Sequence, residues 1–242
     1  AGPAHESQPP AIVFPSLPEW SESERLAGER ETLGLFLSGH PITEFEQELR
    51  QGAPARIVDL GGPRPTGEPR FGGGRPVTVA GLVLEMRRRG ARMTLVLDDR
   101  SARIEASLFD DVWQQHRAVI VKDAILVVEG LLRYDEFIDD WRITAKKLTP
   151  IHELREREAR RLKIRLPAGG GDGRIQDRLE EILRRGRGGR CAVELHYIGG
   201  EARGTLTLPE EWSVRPSRDF VDELARLVGR DGLRFSYGPH TE

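Results

Sequence analysis

Between positions 77 and 148 the chain lays down five short apolar runs, VTVAGLVLEM, ARMTLVLDD, ARIEASLF, AILVVEGLLRY and WRITAKKL, with one helix-like stretch, residues 110–119, after the third. In the second run Met93, Leu95 and Leu97 alternate with Arg92, Thr94 and Val96. In the third, Ile104, Ala106 and Leu108 alternate with Arg103, Glu105 and Ser107. A period of two is that of a strand with one buried face. Gly81 and Gly130 fall inside the first and fourth runs, where a tightly coiled strand bends. Arg87-Arg88-Arg89-Gly90 reads as the first hairpin turn and Asp98-Asp99-Arg100-Ser101 as the second. Three strands, a helix and two strands is the order of an OB-fold, a five-stranded Greek-key barrel most often used to grip single-stranded nucleic acid or oligosaccharide.

The flanks carry a different period. Residues 1–18 are Pro-rich and read as a flexible lead. Residues 19–60 read as a helical segment. Ser21 and Glu24 have capping-box spacing, and Leu26, Leu33, Phe36 and Leu37 follow a helical face that breaks at Ser38-Gly39-His40-Pro41. Thr43 with Glu46 repeats the capping spacing ahead of Phe45 and Leu49. Residues 61–75 are a Gly/Pro linker by composition. The barrel domain is assigned to 76–149 and a charged connecting helix to 150–162. A second small domain takes 163–242, with strand 162–166, helix 174–185, strand 191–198, a Gly199-Gly200 turn, strand 202–208, a short run at 212–214, helix 217–228 and strand 233–237. Ser217 caps the last helix and Gly229 ends it. The element order is β-α-β-β-α-β, which predicts the split βαβ plan of ferredoxin-like domains. The fold class is therefore multidomain: a β barrel plus an α+β domain, preceded by a helical segment.

Composition narrows the function. The 242 residues hold one cysteine, Cys191, so no internal disulfide is possible. No apolar run is long enough to span a membrane, and the start, AGPAHESQPP, is not a secretory leader, so a cytoplasmic location without membrane partner is expected. The net charge of −2 is graded: −4 over residues 1–75, zero over 76–149 and +2 over 150–242. No segment has the positive excess of a protein that holds duplex DNA by charge alone, so any nucleic-acid contact comes from a local patch. The six histidines do not pair at metal-binding spacing, no phosphate-loop or nucleophile motif occurs, and the acidic pairs Asp98-Asp99, Asp110-Asp111 and Asp139-Asp140 read as turn and cap chemistry. No catalytic residue, metal site or cofactor is assigned.

An OB barrel binds across its second and third strands and through the loops joining strands 1–2 and 4–5. The candidate nucleic-acid residues are Arg87, Arg88, Arg89 and Arg92 at the first hairpin, Arg142 and Lys146 on the fifth run, and the aromatics Tyr134 and Trp141, with Phe137 and Phe109 as further stacking candidates. The acidic 4–5 loop, Asp135, Glu136, Asp139 and Asp140, opposes a phosphate chain, so binding is expected to be weak and salt-steep. In the run LPEEWSVRPSRDF, Trp212, Arg215, Arg218 and Phe220 are the candidate partner contacts. Readings of the barrel as a structural spacer without nucleic-acid affinity, or as an anticodon-type module, remain open. The anticodon type lacks the class-specific motifs expected downstream.

The run GERETLGLFLSGHPITEFEQEL, residues 28–49, resembles the segment after the fingers region of the bacterial replicative DNA polymerase III alpha subunit. Residues 77–113 are similar to that family's OB domain. Residues 192–237, with EEWSVRPSRDFVDELARLVG, resemble its C-terminal domain in the gammaproteobacterial form. The resemblance implies that the catalytic aspartates lie outside this chain, in a parent nucleotidyltransferase expected to use Mg. It further implies that the OB domain lies near single-stranded template, that residues 163–242 bind the clamp-loader tau subunit, and that other replisome subunits are met through the parent. The family's clamp-binding motif does not fit QPPAIVF, residues 8–14.

Overall fold

A computed structural model describes residues 20, 22–53, 55–62, 74–166, 173–199 and 202–238. They fall into two compact units that divide between Gly39 and His40. The expected flexible lead, the Ser21 cap, most of the 61–75 linker and the second residue of the Gly199-Gly200 turn lie outside the described residues.

In the first unit helix α1 spans Glu22–Leu33. It stops five residues before the predicted break because Gly34 turns left-handed, with φ of 74°. The chain then folds back on the helix. The N–H groups of Leu37 and Ser38 donate to Glu29 Oε2 at 2.7 and 3.0 Å, and the Arg30 guanidinium lies 5.6 Å from the centre of the Phe36 ring. The bonds from Ser38, with that from Leu37, hold the Glu29 carboxyl below its ordinary value.

The second unit begins with a 3-10 turn, Pro41–Phe45, and helix α2, Glu46–Gly52. His40 starts the turn, its Nδ1 accepting from the Ile42 N–H at 3.2 Å; Thr43, the residue with capping spacing, is not the cap. The chain next crosses the mouth of the barrel through a bridge from Ala55 to Val79 and a 3-10 turn, Ile57–Asp59. Ile57 and Leu60 are buried in the barrel core, so this stretch is a plug and not the continued helical segment expected through residue 60.

The barrel is closed in the order β1-β2-β3-β5-β4. Its strands are β1 Arg75–Arg89, β2 Arg92–Asp98, β3 Arg103–Leu108, β4 Ile125–Asp135 and β5 Asp140–Pro150, with helix α3, Asp110–His116, after β3. This is the OB order read from the sequence. β1 is long enough to pair with β2 at one end and β4 at the other. The ring closes through a short parallel pairing of β3 with β5. Gly130 sits at the bulge between β4 and β5, where an added Cβ would lie 2.4 Å from the Thr144 carbonyl oxygen, so only glycine fits. Leu95, Leu97, Ile104, Ala106, Leu108, Leu126, Val128, Leu132 and Ile143 fill the interior, the inward half of each alternation.

Helix α4 spans Ile151–Glu158 and gives way at once to β6, Ala159–Leu166; the strand begins three residues before the predicted one and the connecting helix ends correspondingly early. α4 and α2 pack together on the outside of the barrel. Ala80 and Val127, which face outward from β1 and β4, are buried with Ile42, Ala53, Ile151 and Leu154. On the far side of this helix pair sits Arg155. It is 6% exposed, its Nε donates to Glu48 Oε1 at 2.7 Å, and its guanidinium lies 4.9 Å from the Phe45 ring centre and 4.8 Å from that of Phe235. Burial alone would lower the Arg155 pKa, but the adjacent Glu48 carboxylate outweighs it and raises it. Tyr237 is half-buried beside the pair, and desolvation pushes its phenol above the ordinary value.

The terminal domain continues with α5 Gly173–Gly186, β7 Arg187–Gly199, β8 Ala202–Thr207, a 3-10 turn at Glu210–Trp212, α6 Arg218–Val228 and β9 Leu233–Tyr237. The element order is the predicted one, but the strand order is β8-β7-β6-β9. β6 and β7 are direct parallel neighbours, so the βαβ unit is not split and the ferredoxin-like plan is corrected. A sequence pattern fixes which segments are strands but not which strand lies between which. α5 and α6 cover one face of the sheet, burying Leu179, Ile182, Leu183, Phe220, Val221 and Leu224 against Leu162, Ile164, Cys191 and Val193.

Asp99 ties the plug to the β2–β3 turn. Its Oδ2 accepts from the Ile57 N–H at 2.7 Å, and its Oδ1 accepts from Ser101 N–H at 2.8 Å, Ser101 Oγ at 2.6 Å and Ala102 N–H at 3.1 Å. Burial alone would raise its carboxyl, but these bonds outweigh it and hold the pKa below 3.8. Asp99→Ala is expected to destabilise the unit by about 1–3 kcal/mol in urea unfolding near neutral pH. A group whose folded pKa is depressed stabilises above its unfolded value and loses that contribution as pH falls through the folded one. The gap between wild type and variant therefore narrows on acidification below 3.8, and a gap constant with pH contradicts the assignment.

Candidate nucleic-acid interface

The outer face of β2 and β3, with the β1–β2 and β4–β5 loops, is where an OB barrel receives its ligand. β1 runs on to Arg89 and the turn is Gly90-Ala91, with Gly90 at φ of 59°. Arg87, Arg88 and Arg89 are thus strand residues paired with Thr94, Met93 and Arg92, not a hairpin tip as expected, and they alternate between the two faces. A glycine that accepts positive φ allows a two-residue turn, which leaves the arginines inside the ladder.

On the ligand face Arg87 and Arg142 are already paired. Arg87 reaches Glu85 at 2.5 Å and Glu105 at 3.8 Å; Arg142 reaches Glu105 at 2.5 Å and Asp135 at 2.7 Å. Glu85, Arg87, Glu105, Arg142 and Asp135 therefore form one alternating ladder of charge across β1, β3, β5 and β4. Arg142 is only 22% exposed and held from both sides, so it is a bracing residue and not the open phosphate contact expected. Arg103 pairs with Asp98 at 2.9 Å, Arg88 lies 3.6 Å from Asp110, and Arg92 stacks 5.2 Å from the Phe109 ring centre. Lys146 is exposed on β5, next to Lys147, which binds Glu129 at 2.9 Å. Arg89 has no such partner among the described residues.

The two principal aromatics are also engaged. Tyr134 and Trp141 pack edge to face with centroids 5.7 Å apart. Tyr134 donates to Asp139 Oδ1 at 2.6 Å, and Trp141 Nε1 donates to the Gly62 carbonyl at 3.0 Å while its ring packs on the barrel core. Phe137, at the tip of the β4–β5 loop, is fully exposed and Phe109 is half exposed.

In the terminal domain Trp212 is half-buried under the Arg187 guanidinium, 3.6 Å from its ring centre. Phe220 is 7% exposed and belongs to the core; it offers no contact surface, because α6 turns that face to the sheet. Arg215 lies 3.4 Å from Glu156, and Arg218 lies 3.8 Å from Asp222 one helical turn on. Cys191 is fully buried, and burial pushes its thiol up to about 12. Among the described residues no three His, Cys, Asp or Glu side chains gather as a metal site, and no helix is long and apolar enough to cross a membrane.

The carboxylate partners of the ladder went unrecognised in the sequence. The alternation Arg103, Glu105, Ser107 does place Glu105 on the outer face, but its meeting with Arg142, thirty-seven positions away, depends on the β3–β5 register.

These features define a chain built on an OB-fold barrel. A family profile described as OB-fold nucleic acid binding domain matches residues 77–151. A second, described as DNA polymerase III subunit alpha, C-terminal domain, matches residues 178–229. The DNA polymerase III subunit alpha of Pseudomonas aeruginosa is 37% identical over 239 residues, covering 96% of this chain and 19% of the relative. Those of Vibrio cholerae and Escherichia coli are 36% and 35% identical, each alignment covering 93% of this chain and 19% of the relative. The chain is homologous to the C-terminal region of the bacterial DNA polymerase III alpha subunit, of gammaproteobacterial type, and spans 19% of the length of these relatives. Among solved structures, a replication protein A heterotrimer bound to single-stranded DNA aligns with TM-score 0.32 and 19% identity, covering 40% of this chain and 79% of that one; a likeness this slight carries no argument about function.

Proposed function

We propose that this chain is a non-catalytic module of chromosomal DNA replication, the C-terminal region of a polymerase alpha subunit. The nucleotidyl transfer and its Mg belong to other parts of the parent, and the assembly works in the cytoplasm. The barrel lies near single-stranded template, and the terminal domain docks the clamp-loader tau subunit and through it the replisome. The homology over both domains supports this assignment of roles.

The carboxylate ladder on the ligand face carries the barrel's part of the reading. A phosphate reaches Arg87 or Arg142 only by displacing a carboxylate of the same charge, so the barrel holds template loosely and releases it readily. That suits a strand that must slide past as synthesis advances. The same ladder also favours a second reading, in which the face is closed and the barrel is a structural spacer.

One substitution separates the two. Glu105 bridges both arginines, and Glu105→Gln removes the competing charge while keeping the side chain's shape. In fluorescence anisotropy with labelled oligothymidylate, this variant is expected to bind more tightly, with the salt dependence steepening by about 0.7 per arginine released. Arg87→Ala is expected to bind less tightly. Unchanged affinity in both variants assigns the barrel to the spacer role.

Docking is tested by capture of the full chain on immobilised tau subunit. Retention is expected, and it should fall in Arg215→Glu/Arg218→Glu, two positions exposed enough to leave the fold intact. Failure to retain wild type contradicts the docking role.

A further inference from the structure

The sheet of the terminal domain has one face under α5 and α6 and a second face over which no described element packs. Strand register fixes what that second face presents. Arg161, Lys163 and Arg165 alternate along β6; Ala192, Glu194 and His196 lie beside them on β7; Arg203, Thr205 and Thr207 follow on β8, and Arg234 and Ser236 on β9. Arg165, Arg203, Thr205, Thr207, Arg234 and Ser236 are exposed.

Among the described strand residues of this face, five cations thus stand with a single carboxylate, Glu194. Glu194 is 6% exposed; it pairs with Arg161, lies 3.7 Å from Lys163, and meets His196 at 3.4 Å. It neutralises one charge at the centre of the sheet and leaves the periphery cationic. Arg165 donates to the Asp231 carbonyl at 3.3 Å, a contact that orients the guanidinium without cancelling its charge. This excess is concentrated on one side of a segment whose net charge is only +2.

The chemistry of the face selects its ligand. Protein partners are held by apolar and aromatic anchors in desolvated pockets. Here the residues between the cations are alanine, threonine and serine, with His196 and the buried Glu194, and no Phe, Tyr or Trp lies on the face among the described residues. What dominates is charge, mostly guanidinium, which meets phosphate oxygens in pairs. Alternate residues on a strand are about 6.6 Å apart and adjacent strands about 4.8 Å apart. That is a lattice of cations along which a chain bearing one charge per unit can lie.

We propose that this uncovered sheet face binds the phosphodiester backbone of a nucleic-acid strand, independently of base identity. Arg165, Arg203 and Arg234 are its outer contacts and Lys163 an inner one. The site is separate from the barrel's ligand face and does not depend on how that face behaves.

The test uses the full 242-residue chain and the variant Arg165→Ala/Arg203→Ala/Arg234→Ala, three exposed positions, with circular dichroism and urea unfolding to confirm an unchanged fold. Anisotropy is read with labelled oligothymidylate and with a duplex of equal length across a salt series. Wild type should bind at low salt. The triple variant should lose at least about tenfold in affinity and flatten the single-strand salt slope by about 2, the share of three phosphate contacts. A loss confined to oligothymidylate identifies a single strand as the ligand, and an equal loss in both arms identifies any phosphodiester backbone. Unchanged affinity and slope in the triple variant would overturn the site. So would displacement of the oligonucleotide by polyglutamate at matched charge as effectively as by unlabelled oligonucleotide, which would assign the face to an acidic protein. Glu105→Gln made in the triple-variant background reads the barrel's contribution separately.

Discussion

The arrangement of this chain depends on one buried ion pair. Glu48 lies on α2, Arg155 on α4, and the two aromatic rings that sandwich the guanidinium come from the turn before α2 and from β9, the last strand. Partners more than a hundred residues apart are thereby fixed to one another on the outside of the barrel. Desolvating two charges costs several kcal/mol each, which their attraction offsets only with good geometry, so such a pair is poor evidence of stability for its own sake. Its consequence is geometric. A planar guanidinium held by a carboxylate and two rings accepts very few relative positions of α2, α4 and β9. Arg230 adds a peripheral tie, reaching Glu44 at 2.7 Å and Asp222 at 3.0 Å. Barrel and terminal sheet are consequently braced into one body, and the two faces that could meet anionic ligands keep a fixed separation.

Those two faces use similar residues to opposite effect. On the barrel Arg87 and Arg142 each have carboxylates in the ladder, and residues 76–149 carry no net charge. On the terminal sheet the cations outnumber the single buried glutamate, and the acids that balance the domain lie elsewhere, several on α5 and α6 in pairs with their own arginines, such as Glu223 with Arg178 and Arg185. Near-neutral composition thus conceals one self-satisfied surface and one uncompensated one. Charge counted along a sequence cannot distinguish them; charge placed by strand register can.

The barrel was legible because alternation in the second and third runs is strict and a period of two admits little else. Boundaries were less so. Three consecutive arginines before a glycine read as a turn, yet strand pairing carries through them to Arg89. The stretch HELREREARR is charged throughout, so nothing local signals that helix yields to strand at Ala159; that residue is buried by the sheet it joins. Read as helix through Arg161, the sequence does not show the alternation Arg161, Lys163, Arg165 as one side of a strand. The Glu48–Arg155 pair left no trace in the sequence at all, because a buried charge is distinguishable from a solvated one only once its surroundings are known. Phe220, by contrast, is legible as core: its place on α6, one residue before Val221 and four before Leu224, matches a core-facing stripe.

The central claim is that the Glu48–Arg155 junction makes the barrel and the terminal sheet one cooperative body. Native-state hydrogen exchange of the full chain addresses it directly, by comparing the most protected amides of β2 with those of β6. In wild type the two strands are predicted to open with the same free energy. In Glu48→Ala, which leaves Arg155 buried without its partner, β6 is predicted to open well before β2. Unequal protection in wild type, or an equal fall in both strands in the variant, would contradict the claim.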